Sequence, residues 1–241
     1  MLQERCDFFG ADSGCDVLDT KIRKSLNINS LLEKANFFED KNVSGENILM
    51  SLSRLVLDLE QKIPEYETII SDDAGGRMIS LFLREVVNIK RKDLNLPLVK
   101  TFFLAGSAKQ ETIDDFIYKK SDSLGKTLVV TESIITGENV RKFMKPLEKK
   151  HIDFDIASLT VGNCDRLTSE EFLDLSERFY GDLHNSNTGF AFCRVDFNGV
   201  NTWINSDKHP HPQKNCPINQ EKVNLARENI KVIAREISKL V

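Results

Sequence analysis

The stretch Leu128 to Asn139, Leu-Val-Val-Thr-Glu-Ser-Ile-Ile-Thr-Gly-Glu-Asn, restricts the fold more than any other part of the chain. Leu128, Val129 and Val130 are consecutive apolar residues. A strand with one solvated face would alternate with polar residues, so these three read as the end of a strand covered on both sides. The run stops at Thr131 and Glu132, and Thr136-Gly137 makes a sharp turn. Glu138 to Lys150 then reads as an amphipathic helix with Val140, Phe143, Met144 and Leu147 on one face. Strand, polar loop and helix in that order form the repeating unit of a parallel α/β sheet, whose ligands collect at the carboxyl edge of the strands. Gly137 lets the backbone come close to a bound group, and the start of the helix offers unpaired amides and a positive dipole end to a phosphate.

A second unit of the same kind precedes it. Tyr66 to Ser71 reads as a short core strand, Asp72-Asp73-Ala74-Gly75-Gly76 as a tight loop, and Arg77 to Asn88 as a helix with Ile79, Phe82, Leu83, Val86 and Val87 inward. Paired glycines before a helix permit positive φ and close approach of backbone to a ligand. The alternative is a helix start whose glycines serve packing alone. Leu98 to Leu104 is a further strand introduced by Pro97, and Ala105 to Gly125 a long connection, part helical over Gln110 to Lys120. Beyond the central helix, Phe154 to Val161 reads as a strand, Ser169 to Tyr180 as a helix, Thr188 to Phe197 as an alternating strand, and Glu221 to Leu240 as an amphipathic helix.

These elements predict an α/β fold: a mostly parallel, doubly wound sheet of about five strands with flanking helices. Right-handed crossovers would bring the loops near Asp72 and Glu132 to one edge. Upstream, Ser30 to Phe38 reads as a short helix capped by Ser30, and Glu46 to Lys62 as a longer one ended by Pro64. Met1 to Asn29 carries no assignable pattern. Residues 1–63 are therefore expected as a helical extension packed on the core, and residues 64–241 as the α/β domain with its C-terminal helix.

The hydrophobic strand, the acidic Glu132 and the Thr136-Gly137 turn resemble the signature of the type I phosphoribosyltransferases. That signature is a strand, two adjacent acidic residues, two or three variable residues, then Thr-Gly and a hydroxyl residue. Here Thr131 stands at the first acidic position and Asn139 at the final hydroxyl position, while Glu138 adds a carboxylate beside the proposed phosphate. The resemblance covers roughly Tyr66 to Val161. It implies transfer of ribose 5-phosphate from phosphoribosyl pyrophosphate to a nitrogenous acceptor, with Mg²⁺ accompanying the diphosphate. Glu132 would be the catalytic residue, holding ribose hydroxyls with Thr131 as a weaker neighbour. The loop Ser133, Ile134, Ile135, Thr136, Gly137, Glu138 and Asn139 would hold the 5-phosphate. Asp72, Asp73, Ala74, Gly75, Gly76 and Arg77 would hold the diphosphate side. The connection after Leu104 would be a mobile flap that excludes water, with Lys109, Lys119 and Lys120 either reaching the diphosphate or lying solvated on the surface. The three departures keep open a second function: a phosphoribosyltransferase-like nucleotide or sugar-phosphate binding or regulatory protein without turnover.

Composition narrows the partners. With 33 Lys and Arg against 37 Asp and Glu, the net charge of −4 points away from nucleic acid or an anionic membrane as the main partner, leaving room for a local basic patch. No run approaches the roughly 20 apolar residues of a membrane helix. The N-terminus lacks the basic and apolar blocks of a signal peptide, so a cytoplasmic location is expected. Five widely spaced cysteines fit reduced thiols, and Cys164 and Cys193 read as buried small hydrophobes. His209, His211 and Cys216 offer zinc-type ligands but without a second cysteine pair, so no metal site follows from a motif and an ordinary loop is the alternative. Apolar helices at both ends are compatible with a homodimer face.

Overall fold

In the computed structural model the described residues are 12–39, 43–72, 76–104, 108–134, 138–161, 179–182, 192 and 219–241. Three helices lead: α1 (Asp12–Ser25), α2 (Ile28–Asn36) and α3 (Gly45–Leu59). The α/β units follow as β1 (Thr68–Asp72), α4 (Gly76–Asp93), β2 (Lys100–Leu104), α5 (Gln110–Leu124), β3 (Thr127–Ile134), α6 (Glu138–Lys149) and β4 (Phe154–Val161). A short β5 (Phe179–Asp182) and a long α7 (Gln220–Ile237) complete the chain.

The sheet is parallel throughout, in the order β2-β1-β3-β4, with β5 hydrogen-bonded along the outer edge of β4. Side chains that alternate across β3 separate two cores. Leu128 and Val130 join α1 to α4 and α7 on one face, while Val129 joins Ile113 and Ile117 of α5 and Phe143 and Leu147 of α6 on the other. Helices therefore cover both faces, and the all-round burial of Leu128, Val129 and Val130 has its physical cause in that sandwich. From β1 the chain turns outward through α4 to β2. From β3 it turns the opposite way through α6 to β4. This reversal of winding falls between the carboxyl ends of β1 and β3, where open parallel sheets form the crevice that gathers ligands.

Several boundaries differ from expectation for local reasons. α2 is capped by Asn27, whose side chain accepts from the Ser30 amide, so the helix starts ahead of Ser30. Ser44 caps α3 in the same way through Asn47, and α3 ends at Leu59, ahead of the short 3-10 turn that contains Pro64. α1 occupies a segment without a readable pattern; Ile22 joins the first core, and Arg54 of α3 pairs with Asp19 at 2.7 Å. Helices α1 to α3 share the first core with β1, β3, β4 and α7, so these three helices lie against the sheet and its covering helices. The connection expected to be a flap is largely α5, a packed helix with Ile113, Ile117 and Leu124 buried. Phe179 and Tyr180, expected at the end of a helix, pair instead with Ile156 and Ala157 as strand β5. Except for Phe192, the expected strand Thr188–Phe197 lies outside the described residues.

A polar brace closes the amino edge of the sheet. The buried Asp155 carboxylate accepts from the Tyr66 hydroxyl at 2.9 Å and from the Lys62 ammonium at 3.1 Å, with Lys126 at 3.9 Å. Although burial lowers it, the Lys126 ammonium is held above its ordinary pKa by its hydrogen bond to Glu65 and by the charges of Asp153, Asp155 and Glu65. Nearby, the buried Arg91 donates to the carbonyls of Pro64, Tyr66 and Pro97, tying the end of α4 to the approach of β1 and β2. Both devices fix strand registers from the edge opposite the crevice.

Candidate functional site

β1 and β3 run side by side, with Ser71 opposite Val130 as their last paired residues. Beyond that point β3 continues for four residues, Thr131 to Ile134, paired with β4 on its other side through Thr131–Ser158 and Ser133–Thr160. The flank of β3 that β1 leaves uncovered is met by the first turn of α4. A Cβ built on Gly76 would stand 2.6 Å from the Val130 carbonyl oxygen, 2.9 Å from the Ser71 Oγ and 3.3 Å from the Thr131 Cα. Only glycine permits that approach, which draws the N-terminus of α4, with its unpaired amides, against the strand that carries Thr131 and Glu132. The two loops singled out from sequence, after β1 and after β3, thus leave adjacent parallel strands at the same edge.

The expected site residues fall into three groups. Gly76 and Thr131 are brought together, and Thr131 is buried at the strand edge. Ser133 is half-buried, and Ile134 packs its side chain into the second core, leaving its backbone as the part directed to the loop. Glu138 and Asn139 are exposed on the first turn of α6, so the Glu138 carboxylate is solvated rather than enclosed. Asp73, Ala74, Gly75, Ile135, Thr136 and Gly137 lie outside the described residues; of Asp72 the backbone is placed, paired with Leu104.

Glu132 occupies a different setting from the open strand tip expected of it. It lies inside β3, 2% exposed, and its Oε1 accepts from the Phe192 amide at 2.5 Å. Its carbonyl oxygen accepts from the Ser158 hydroxyl at 3.3 Å. The Phe192 ring is buried against Phe38, with centroids 4.9 Å apart, so the N-terminal helical part of the chain helps place the amide that engages Glu132. A buried carboxylate on a central strand is costly unless hydrogen-bonded, and this one is held in place rather than left to search.

Arg77 is one residue beyond Gly76 and so turns away from β3. Its guanidinium lies over the Phe103 ring of β2, 4.8 Å from the centroid. Lys109 stands just ahead of α5 on the crevice edge, whereas Lys119 and Lys120 lie about 15 Å further along that helix. Lys119 is largely exposed and paired with Asp115. Of the three lysines, the crevice edge holds Lys109.

Sequence reasoning missed Ser71, Ser158 and Phe192 as neighbours of the site. Ser71 and Ser158 are small polar residues in strands that also carry Thr68, Asp72, Asp155 and Thr160, so no local signal sets them apart. Phe192 comes from a segment 60 residues beyond Glu132, and nothing local points to it. Among the described residues no group of three or more His, Cys, Asp or Glu side chains is placed to hold a metal ion, and no helix is long and apolar enough to cross a membrane. Compared with known proteins, the chain matches no protein-family model and no curated sequence.

Proposed function

We propose that this protein binds a ribose phosphate in the crevice between β1 and β3 and, as a phosphoribosyltransferase-like enzyme, transfers ribose 5-phosphate from phosphoribosyl pyrophosphate to a nitrogenous acceptor. The observation that carries this reading is the meeting of Gly76 with the Val130–Thr131 backbone, because it sets a helix N-terminus beside the strand that leads into the Thr136-Gly137 loop. Amides at the α4 start suit the diphosphate end, together with the Asp72–Gly76 loop. The Ser133–Asn139 loop and the start of α6 suit the 5-phosphate. In this reading Thr131 and Glu132 serve the sugar. Mg²⁺ belongs in this reading to the substrate: it travels with the diphosphate, keeps most of its water, and offsets charge on the departing group. The protein's share is positioning and electrostatic complementarity.

The setting of Glu132 supports a second reading, a binding or regulatory protein that retains the crevice without turnover. Its carboxylate already accepts from the Phe192 amide, and Thr131 replaces a second acid. Incubation with phosphoribosyl pyrophosphate, Mg²⁺ and a panel of nitrogenous bases separates the two. Release of diphosphate that depends on both the base and Glu132 selects the enzyme. A ligand-induced rise in melting temperature without diphosphate release, lost in Glu132→Ala, selects the binding protein. Neither release nor shift refutes both.

A further inference from the structure

Outside the crevice, α4 and α7 pack together, and four of their basic residues border one cleft. Arg77 and Arg84, seven residues apart, share a flank of α4; Arg227 and Lys231, four apart, share a flank of α7. With Leu81 and Phe103 they line a cleft of about 300 Å³, and all six side chains are half-buried. No carboxylate belongs to that lining among the described residues. Glu228, at the rim and mostly exposed, pairs with Lys231 at 2.8 Å. Further along the same two helices the charges are matched, as Arg235 meets Glu85 at 2.8 Å. At the Arg227 level burial first, and the charge of Arg77 second, hold Arg227 below its ordinary pKa. Like charges collected in a partly desolvated cleft are unfavourable by themselves, and a multivalent anion relieves them.

We propose that the cleft between α4 and α7 is a second anion site, which takes a small phosphate or diphosphate ester on Arg84, Arg227 and Lys231 with Arg77 at its inner end. Guanidinium forks match phosphate oxygens in bidentate geometry, and Phe103 and Leu81 give an apolar wall for the organic part of the ester. A volume near 300 Å³ lies at the small end of metabolite pockets. The small volume and the acidic overall charge favour a small molecule over a nucleic-acid strand, which needs an extended basic track. The site is separate from the crevice, since Gly76 faces β3 whereas Arg77 turns towards β2.

The test is calorimetric titration of the full chain with inorganic pyrophosphate, without Mg²⁺, at low and high salt. The crevice is disabled by Gly76→Ala and Glu132→Gln so that its success or failure is read independently. The cleft is expected to bind in that background, to weaken at high salt, and to lose about ten- to hundredfold in affinity in Arg227→Gln and Lys231→Gln. Arg227→Lys is expected to recover part of the loss, with unchanged circular dichroism showing that the fold is intact. Absence of binding, or binding unchanged by Arg227→Gln, overturns the proposal. Equal binding of citrate overturns the phosphate assignment, and tighter binding of a ten-nucleotide RNA overturns the small-molecule one.

Discussion

Gly76→Ala is the most direct perturbation of the contact on which the crevice depends. The added methyl would sit 2.6 Å from the Val130 carbonyl oxygen, about 0.8 Å short of ordinary contact, and 3.3 Å from the Thr131 Cα. Both atoms are backbone of a strand paired on its far side with β4, so β3 has little freedom to retreat. The third neighbour, at 2.9 Å, is the Oγ of the buried Ser71. The helix must therefore back away, yet α4 is pinned along its length by Met78, Ile79, Phe82, Leu83, Val86 and Val87, all fully buried. Overpacking of that kind costs about 1–3 kcal/mol. Alanine has an intrinsic helix advantage over glycine of about 1 kcal/mol, but only in a helix interior, and Gly76 is the first helical residue.

A net loss of about 1–3 kcal/mol lowers the melting temperature of a chain this long by roughly 2–12 °C, because each kcal/mol is worth about 2–4 °C at this size. The assay is thermal unfolding followed by far-ultraviolet circular dichroism, alone and with phosphoribosyl pyrophosphate and Mg²⁺. The variant is expected to melt earlier and to lose most of any ligand-induced shift, since its α4 amides stand further from β3. A variant as stable as the parent, with its ligand shift intact, would refute the idea that this glycine sets the crevice.

Asp155→Ala leaves the buried Tyr66 hydroxyl and the Lys62 ammonium without their acceptor; a loss of about 1–3 kcal/mol is expected in urea unfolding, and a smaller one for Tyr66→Phe. Lys126 carries the same brace into alkaline solution. Its folded pKa is raised, so its stabilisation is complete below the unfolded value near 10.4 and fades as pH rises through the folded value. Urea midpoints measured from pH 9 upward should fall more steeply for the parent than for Lys126→Met, and parallel curves would count against the brace. Gly125 ends α5 with φ of +58° and its α-carbon against Glu67, so Gly125→Ala should cost about 1–3 kcal/mol; a neutral outcome in the same urea assay would show that the turn relaxes freely.

What could be read from the chain without its fold follows from how far each signal is local. Leu128–Val130 announced a doubly covered strand because burial on two faces leaves an unbroken apolar run, and the helices α4 and α6 announced themselves through one-sided periodicity. β3 was read four residues too short because Thr131, Glu132 and Ser133 are polar. The buried Glu132 carboxylate finds a partner in the Phe192 amide, which only the fold supplies. α5 is legible over Gln110 to Lys120, where Ile113 and Ile117 keep a helical spacing, and only its last turn to Leu124 runs beyond that expectation. The pairing of Arg77 with Arg227 across 150 residues had no local signature at all.

Glu132 then poses the sharper question of why a central strand carries a buried carboxylate. Packing alone would favour an apolar residue there, as at Leu128 and Val130 on the same face of β3. Glu132→Gln separates the alternatives because the amide oxygen still accepts from the Phe192 N–H while the charge disappears. If the charge is kept for a ligand, the substitution removes a desolvation cost and leaves stability unchanged or raised by up to about 1 kcal/mol, while ligand-dependent stabilisation falls. If the charge instead holds the fold together, its removal costs about 3–5 kcal/mol, as when one member of a buried ion pair is deleted. Chemical unfolding of the ligand-free protein decides between them. A large loss of stability would assign Glu132 to the architecture and leave Thr131 and the helix N-termini to carry any chemistry at the crevice.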